Sequence, residues 1–246
     1  MPRMPKHAPR GEACAVCGTR HAVRSADHPD PTSVLPRGTA VFRFGSGSRR
    51  GSPAQVLSNF WGCHVSLDHA EVRRCAEILL ADFGDEPRVY PSSEHAYVDL
   101  TVKQNPELYA GGAMASLEGL APYAGAMRNK RPLADQARTW GPCVGIAAKL
   151  YGNIARREAP RTLTMEQKRA VWMVILHAKY RDPGARAALL STGGAYLLEF
   201  ARGAVNRQRN GQPAERWGGW NFEDKVWGEN HMGELLMAVR AEISNS

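Results

Sequence analysis

Between Thr164 and Gly184 the chain is more sharply specified than anywhere else. Thr164 and Gln167 have the spacing of a capping box. Val171, Val174, Ile175 and Ala178 follow at helical spacing, and Asp182-Pro183-Gly184 closes the run. One bounded amphipathic helix is expected there, and other elements must cover its apolar stripe. Residues 69–83 place Val72, Ala76, Leu79 and Phe83 on one face of a second helix. A last helix over about 231–243 carries Met232, Leu235, Leu236, Val239 and Ile243. Val41-Phe42-Arg43-Phe44 alternates as a strand does and stops at Gly45-Ser46-Gly47-Ser48, and Val89-Tyr90 reads as a short strand.

Pro91-Ser92-Ser93 is a helix start with a serine available as cap, and that helix should run to about Lys103, before Asn105-Pro106. Ile146–Tyr151 reads as a short helix ended by Gly152-Asn153. Further helices are expected over roughly 184–190 and 195–201. Residues 106–145 are weakly periodic, 202–220 read as a long polar loop, and no internal repeat is present.

The 246 residues are 43% apolar and 23% charged, enough for one large domain or one domain with an appendage. No run approaches the ~18 apolar residues of a membrane span, and no early apolar stretch reads as a signal peptide. Five cysteines at irregular spacing suggest no disulfide framework. An intracellular protein, cytoplasmic or nuclear and off the membrane, is expected. Residues 1–51 hold nine Arg or Lys and three Asp or Glu, which is six of the chain's eight net positive charges. Residues 1–38 therefore read as a basic N-terminal arm. Together with the Arg43, Arg49, Arg50 loop they form either a patch that attracts phosphate or a solvated tail. Within the arm, Cys14-x-x-Cys17 with His21 and His28 is a candidate zinc knuckle, or four unliganded tail residues.

Glu94 falls in the first turn of the helix that Ser92 or Ser93 would cap. The positive end of a helix favours a carboxylate by ~0.3–1 kcal/mol, so Glu94 is expected to be ionised unless burial wins. An ionised carboxylate there can stabilise a cationic transition state or accept a proton from water; it is also an ordinary structural choice. Phe60, Trp61, Tyr97, Trp217, Trp220 and Trp227 lie in or beside polar segments, where flat rings suit a base or serve as core edges.

Several blocks resemble one family. Leu57-Ser58-Asn59-Phe60 and Tyr90-Pro91-Ser92-Ser93-Glu94-His95-Ala96-Tyr97 are similar to the paired signatures of the NADAR (NAD- and ADP-ribose-associated) proteins. Ile146-Ala147-Ala148-Lys149 with Gly152, the helix Val171–Tyr180, Leu189-Leu190-Ser191-Thr192-Gly193 and Leu198-Glu199 resemble its later blocks, in the same order. Asp224-x-x-Trp227-Gly228 and Gly228-x-Asn230-x-x-Gly233-x-Leu235-Leu236-Met237-x-x-Arg240 look like its ending. There are departures. Thr101 stands where relatives usually carry a lysine, Asn153 where they carry an arginine, and the last two motifs share Gly228. Residues 69–87 and 106–143 look like insertions.

The resemblance implies an α+β fold, mostly helical around a small β-sheet, with residues 39–246 as a single N-glycosidase domain. It implies cleavage of a ribose from a base: ADP-ribose from guanine in nucleic acid or guanosine, or a phosphoribosylated intermediate of riboflavin synthesis. A non-catalytic module binding ADP-ribose or NAD is the remaining alternative. No cofactor is called for, and the partner is the ADP-ribosylated guanine nucleotide or nucleic acid itself. On this reading Glu94 and Lys179 are catalytic, Lys179 as the amine of an imine with opened ribose. Asn59, Phe60, Trp61, Tyr97, Lys149, Asp224, Trp227, Gly228 and Asn230 bind substrate, and Lys149 is the alternative amine.

Overall fold

The computed structural model describes residues 30–103, 109, 144–158, 162–201 and 203–245. The candidate knuckle Cys14, Cys17, His21 and His28 lies outside them. The architecture is α+β, with helices outnumbering the strands of three small sheets. Among the described residues no helix is long and apolar enough to cross a membrane. Contacts divide the chain into two compact units.

The larger unit holds residues 44–194 and 235–246. It begins with α1 (Pro53–Val56), β3 (Val65–Leu67), α2 (His69–Leu79) and β4 (Arg88–Tyr90). It continues with α3 (Ser93–Val98), α4 (Gly145–Glu158), α5 (Met165–Lys179) and α6 (Pro183–Leu190). Strands β3 and β4 form an antiparallel pair. The expected capping box is present: the Gln167 N–H donates to Thr164 Oγ1 at 3.1 Å and the Thr164 N–H to Gln167 Oε1 at 3.0 Å. A cap of this kind stabilises a helix by about 1 kcal/mol. Val171, Trp172, Val174, Ile175, Leu176, Ala178 and Lys179 are all buried on α5, so it packs on more than one side, against α2, α3 and β3. The side chains of Asp68 and Glu71 make a second capping box, on α2. That helix ends at Leu79 because Leu80 turns left-handed at φ 49°, leaving Phe83 beyond it.

Two sequence expectations change in this unit. The helix that starts at Ser93 keeps α-geometry to Val98 and continues as a π-helical turn over Asp99–Lys103. The helix expected to stop at Gly152 runs through it to Glu158. A Cβ on Gly152 would lie 2.7 Å from Val98 Cγ1, so glycine is there for close approach of α4 to α3 rather than for a helix stop.

The described part of the smaller unit is residues 30–43 and 195–234. β1 (Ser33–Val34) pairs antiparallel with β7 (Lys225–Trp227), which pairs antiparallel with β6 (Trp220–Phe222). β2 (Val41–Phe44) pairs with β5 (Tyr196–Glu199). Residues 33 and 34, assigned by sequence to the arm, are thus part of a sheet. The helix expected over 195–201 is a strand, because β2 offers it a partner. The loop expected over 202–220 contains α7 (Ala204–Arg209), whose Ala204 and Val205 pack on Trp227 with Ala201, Trp220 and Phe222 beside them. The last helix is α8 (His231–Ser244).

Candidate functional site

The candidate site is built on residues 56–60, which run on from the end of α1 and meet the starts of two helices. A helix leaves its first N–H groups without internal partners. On α3 the Ser92 hydroxyl accepts from the His95 N–H at 3.4 Å, and Asn59 O accepts from the Glu94 N–H at 3.1 Å. On α4 the Gly145 N–H donates to Phe60 O at 3.0 Å. The approach is so close that a Cβ on Gly145 would sit 2.6 Å from Ser92 Oγ, 2.8 Å from Phe60 Cα and 3.1 Å from Glu94 Cβ. Only glycine can occupy that position without moving the Phe60 backbone or the Ser92 side chain.

Glu94 is buried, with 8% of its surface exposed. Burial raises its carboxyl above the ordinary value, and the charges of Lys149 and then Arg156 on α4 oppose that rise. Burial thus works against the ionised form that the helix start favours, and it outweighs the two cations. The result is a carboxylic acid able to hold a proton nearer neutral pH, the property required of a general acid. Lys149 and Arg156 are exposed, and Lys149 Nζ lies 4.9 Å from the centre of the Phe60 ring. Arg156 Nη1 donates to Asn153 Oδ1 at 3.0 Å. The sequence reading missed Arg156. The signal was the seven-residue spacing from Lys149, which shares a helix face only if the helix continues through Gly152.

Two buried polar atoms beside Glu94, Asn59 Oδ1 and Ser93 Oγ, have no hydrogen-bond partner among the described residues. Unpaired buried groups are rare in folded chains and suit a site built to meet a ligand. Phe60 and Trp61 are half-buried on the same segment. Burial pushes the Cys63 thiol up and the Cys75 thiol up to about 12, which disfavours their thiolates. Among the described residues no group of three His, Cys, Asp or Glu is arranged to hold a metal.

Other expected site residues have different surroundings. Lys179 is fully buried, with Nζ donating to Val56 O at 3.0 Å, Leu57 O at 3.2 Å and Ser58 O at 2.9 Å. Three carbonyls match the three N–H groups of an ammonium, which has no lone pair for an imine. Lys179 is thereby held away from solvent by main-chain acceptors, and Lys149 is the amine near Glu94. Tyr97 stacks on Trp172 at 4.4 Å and 12° in the core, so its ring serves packing rather than a substrate base. Thr101, in place of the family's lysine, is buried and donates its hydroxyl to Tyr97 O.

In the smaller unit, Trp227 is 2% exposed in the apolar cluster described above. Asn230 is fully buried in the left-handed region at φ 54°. Its Nδ2 donates to Leu197 O at 2.8 Å and Tyr196 Oη at 3.1 Å, while Oδ1 accepts from the Glu199 N–H at 3.1 Å. Those bonds tie Asn230 to β5. Gly228, at φ 110°, donates its N–H to Thr32 Oγ1 at 2.9 Å. Asp224 accepts from the Leu35 N–H through its main chain and lines a concavity with Pro36, Arg37, Gly38, Thr39 and Glu223.

No family model matches the chain, and no curated protein does. Among solved structures, the NMR structure of the Escherichia coli protein YbiA is similar over 87% of this chain and 91% of its own, at 17% identity and a TM-score of 0.43. A superposition that loose carries no functional argument, so the chemistry rests on the site's own residues.

Proposed function

We propose that the site around Glu94 is an N-glycosidase centre that releases ADP-ribose from ADP-ribosylated guanine. The single observation that carries this reading is a buried glutamic acid, raised by burial, beside two exposed cations and two unpaired buried polar atoms. The ordered sequence blocks that resemble NADAR proteins supply the substrate class.

Breaking a ribose–nitrogen bond leaves C1 electron-poor and loads negative charge on the departing base. A neutral Glu94 donates its proton to that base as the bond breaks. The carboxylate so formed stabilises the positive C1 and then takes a proton from the attacking water. Lys149 and Arg156 suit the substrate's phosphates, and the half-buried Phe60 and Trp61 offer ring faces. Where the ribose ring opens, the Lys149 amine, once it has given up a proton, adds to C1 and expels the protonated base, and water then hydrolyses the imine to release ADP-ribose.

The test is to incubate the protein with DNA carrying ADP-ribosylated guanine and to measure free ADP-ribose by chromatography. Release by wild type and its loss in Glu94→Gln are expected. No release at several salt concentrations overturns the reading, and ADP-ribose binding with no turnover identifies a binding module instead. Substituting a phosphoribosylated amino-pyrimidine in the same assay tests the other substrate class. Cyanoborohydride added during turnover should reductively label Lys149 if an imine forms; a label on Lys179 would contradict its assignment here.

A further inference from the structure

Val56, Leu57 and Ser58 end α1 with their carbonyls turned to the interior, where water cannot satisfy them. Lys179 reaches all three from the last residue of α5. The next two carbonyls are also committed, Asn59 O to the Glu94 N–H and Phe60 O to the Gly145 N–H. Five consecutive carbonyls thus run from a buried ammonium to the first turns of the two helices that carry Glu94, Lys149 and Arg156.

We infer that Lys179 is a positioning residue for Glu94, acting through the Val56–Phe60 segment. This rests on the reading of Glu94 as the acid of the reaction, although the structural half can be tested without it. A charge with no exposed surface is expensive to bury, and here its three hydrogen bonds all go to one short stretch of main chain. An apolar side chain of equal length would fill the volume and leave the Val56 and Leu57 carbonyls unpaired, with Ser58 O keeping only its bond from the Trp61 N–H at 3.1 Å. The peptide planes would then turn toward other donors. Asn59 O and Phe60 O, one and two residues on, would move with them and release the Glu94 and Gly145 N–H groups. The Tyr180 ring, 5.3 Å from Nζ, lies beside the ammonium and gives the charge a second favourable neighbour.

The experiment compares wild type with Lys179→Met and Lys179→Gln in the full chain. Amide hydrogen exchange by NMR is read at Glu94, Gly145 and, as a remote control, Val72, whose N–H bonds Asp68 O in α2. Exchange at Glu94 and Gly145 should rise about tenfold or more while Val72 stays put. In turnover, kcat should fall roughly thirtyfold with affinity for ADP-ribose little changed, and Lys179→Met should add almost nothing in a Glu94→Gln background. Unchanged or uniformly raised exchange overturns the proposal, as does full additivity with Glu94→Gln. Should both variants fail to fold, the wild-type Lys179 amine decides: a slowly exchanging ammonium signal in 15N NMR supports it, and a rapidly exchanging or neutral amine overturns it. If wild type releases no ADP-ribose, selective loosening at Glu94 and Gly145 still upholds the positioning role, and only the glycosidase reading falls.

Discussion

At the scale of single residues, the site is a contest over one proton. The N-terminus of α3, Lys149 and Arg156 all favour a charged Glu94, and burial, the largest influence, moves its carboxyl above the ordinary value. Two outcomes follow for Glu94→Gln. Turnover should drop by about 10²–10⁴-fold, the usual weight of a general acid. Stability should change with pH in a direction opposite to most carboxylates. The folded value lies above the unfolded one, near 4.5, so the favourable contribution of Glu94 is complete below that pH and is lost as pH rises through the folded value. Wild type and Glu94→Gln should be closest in stability at acid pH, and the variant should gain on wild type as pH rises past 4.5. Urea titrations at several pH values check this; a variant that loses ground to wild type as pH rises would contradict it. Asn230 is the corresponding residue in the smaller unit. Asn230→Gly keeps the left-handed backbone easy while removing the bonds to Glu199, Leu197 and Tyr196, so a loss of about 2–3 kcal/mol in urea unfolding is expected.

At the scale of elements, local signals were read well where they are self-contained. The Thr164–Gln167 capping box and the Ser92 cap each work within three residues, and each is present. Elements that depend on a distant partner were misread. Residues 195–201 contain alanine and leucine that suit a helix, and pairing with β2 makes Tyr196–Glu199 a strand. Gly152 has the local look of a helix stop, yet its neighbour in space is Val98. Gly152→Ala therefore sets a helix-propensity gain of about 1 kcal/mol against overpacking of about 1–3 kcal/mol. A net loss of stability is expected in thermal unfolding, and Val98→Ala in the same chain should relieve part of it. A stabilised Gly152→Ala single variant would show that α4 does not lie against α3 as described.

At the scale of the whole molecule, charge is unevenly spread, with six of eight net positive charges in residues 1–51. A protein that meets nucleic acid through such a segment loses affinity as salt rises, because each phosphate contact releases counterions. If the substrate is modified guanine in DNA, KM should rise steeply between low and moderate salt, and deleting residues 1–28 should flatten the dependence. A free ADP-ribosylated guanosine should show little of either effect. Equal salt dependence for both substrates would place nucleic-acid contact elsewhere. Much of this protein was open to reading from its residues alone: the α+β composition, the helix caps, the position of Glu94 in a first turn, and the ordered blocks that suggest a glycosidase. Those features depend on neighbours a few residues apart. Only the tertiary structure decided that Glu94 is buried, that Lys149 rather than Lys179 is the amine beside it, and that Asn230 serves β5. The physical reason is distance along the chain. Lys179 meets carbonyls 121 to 123 residues away, and no local pattern specifies which buried acceptors a lysine will find when helices pack.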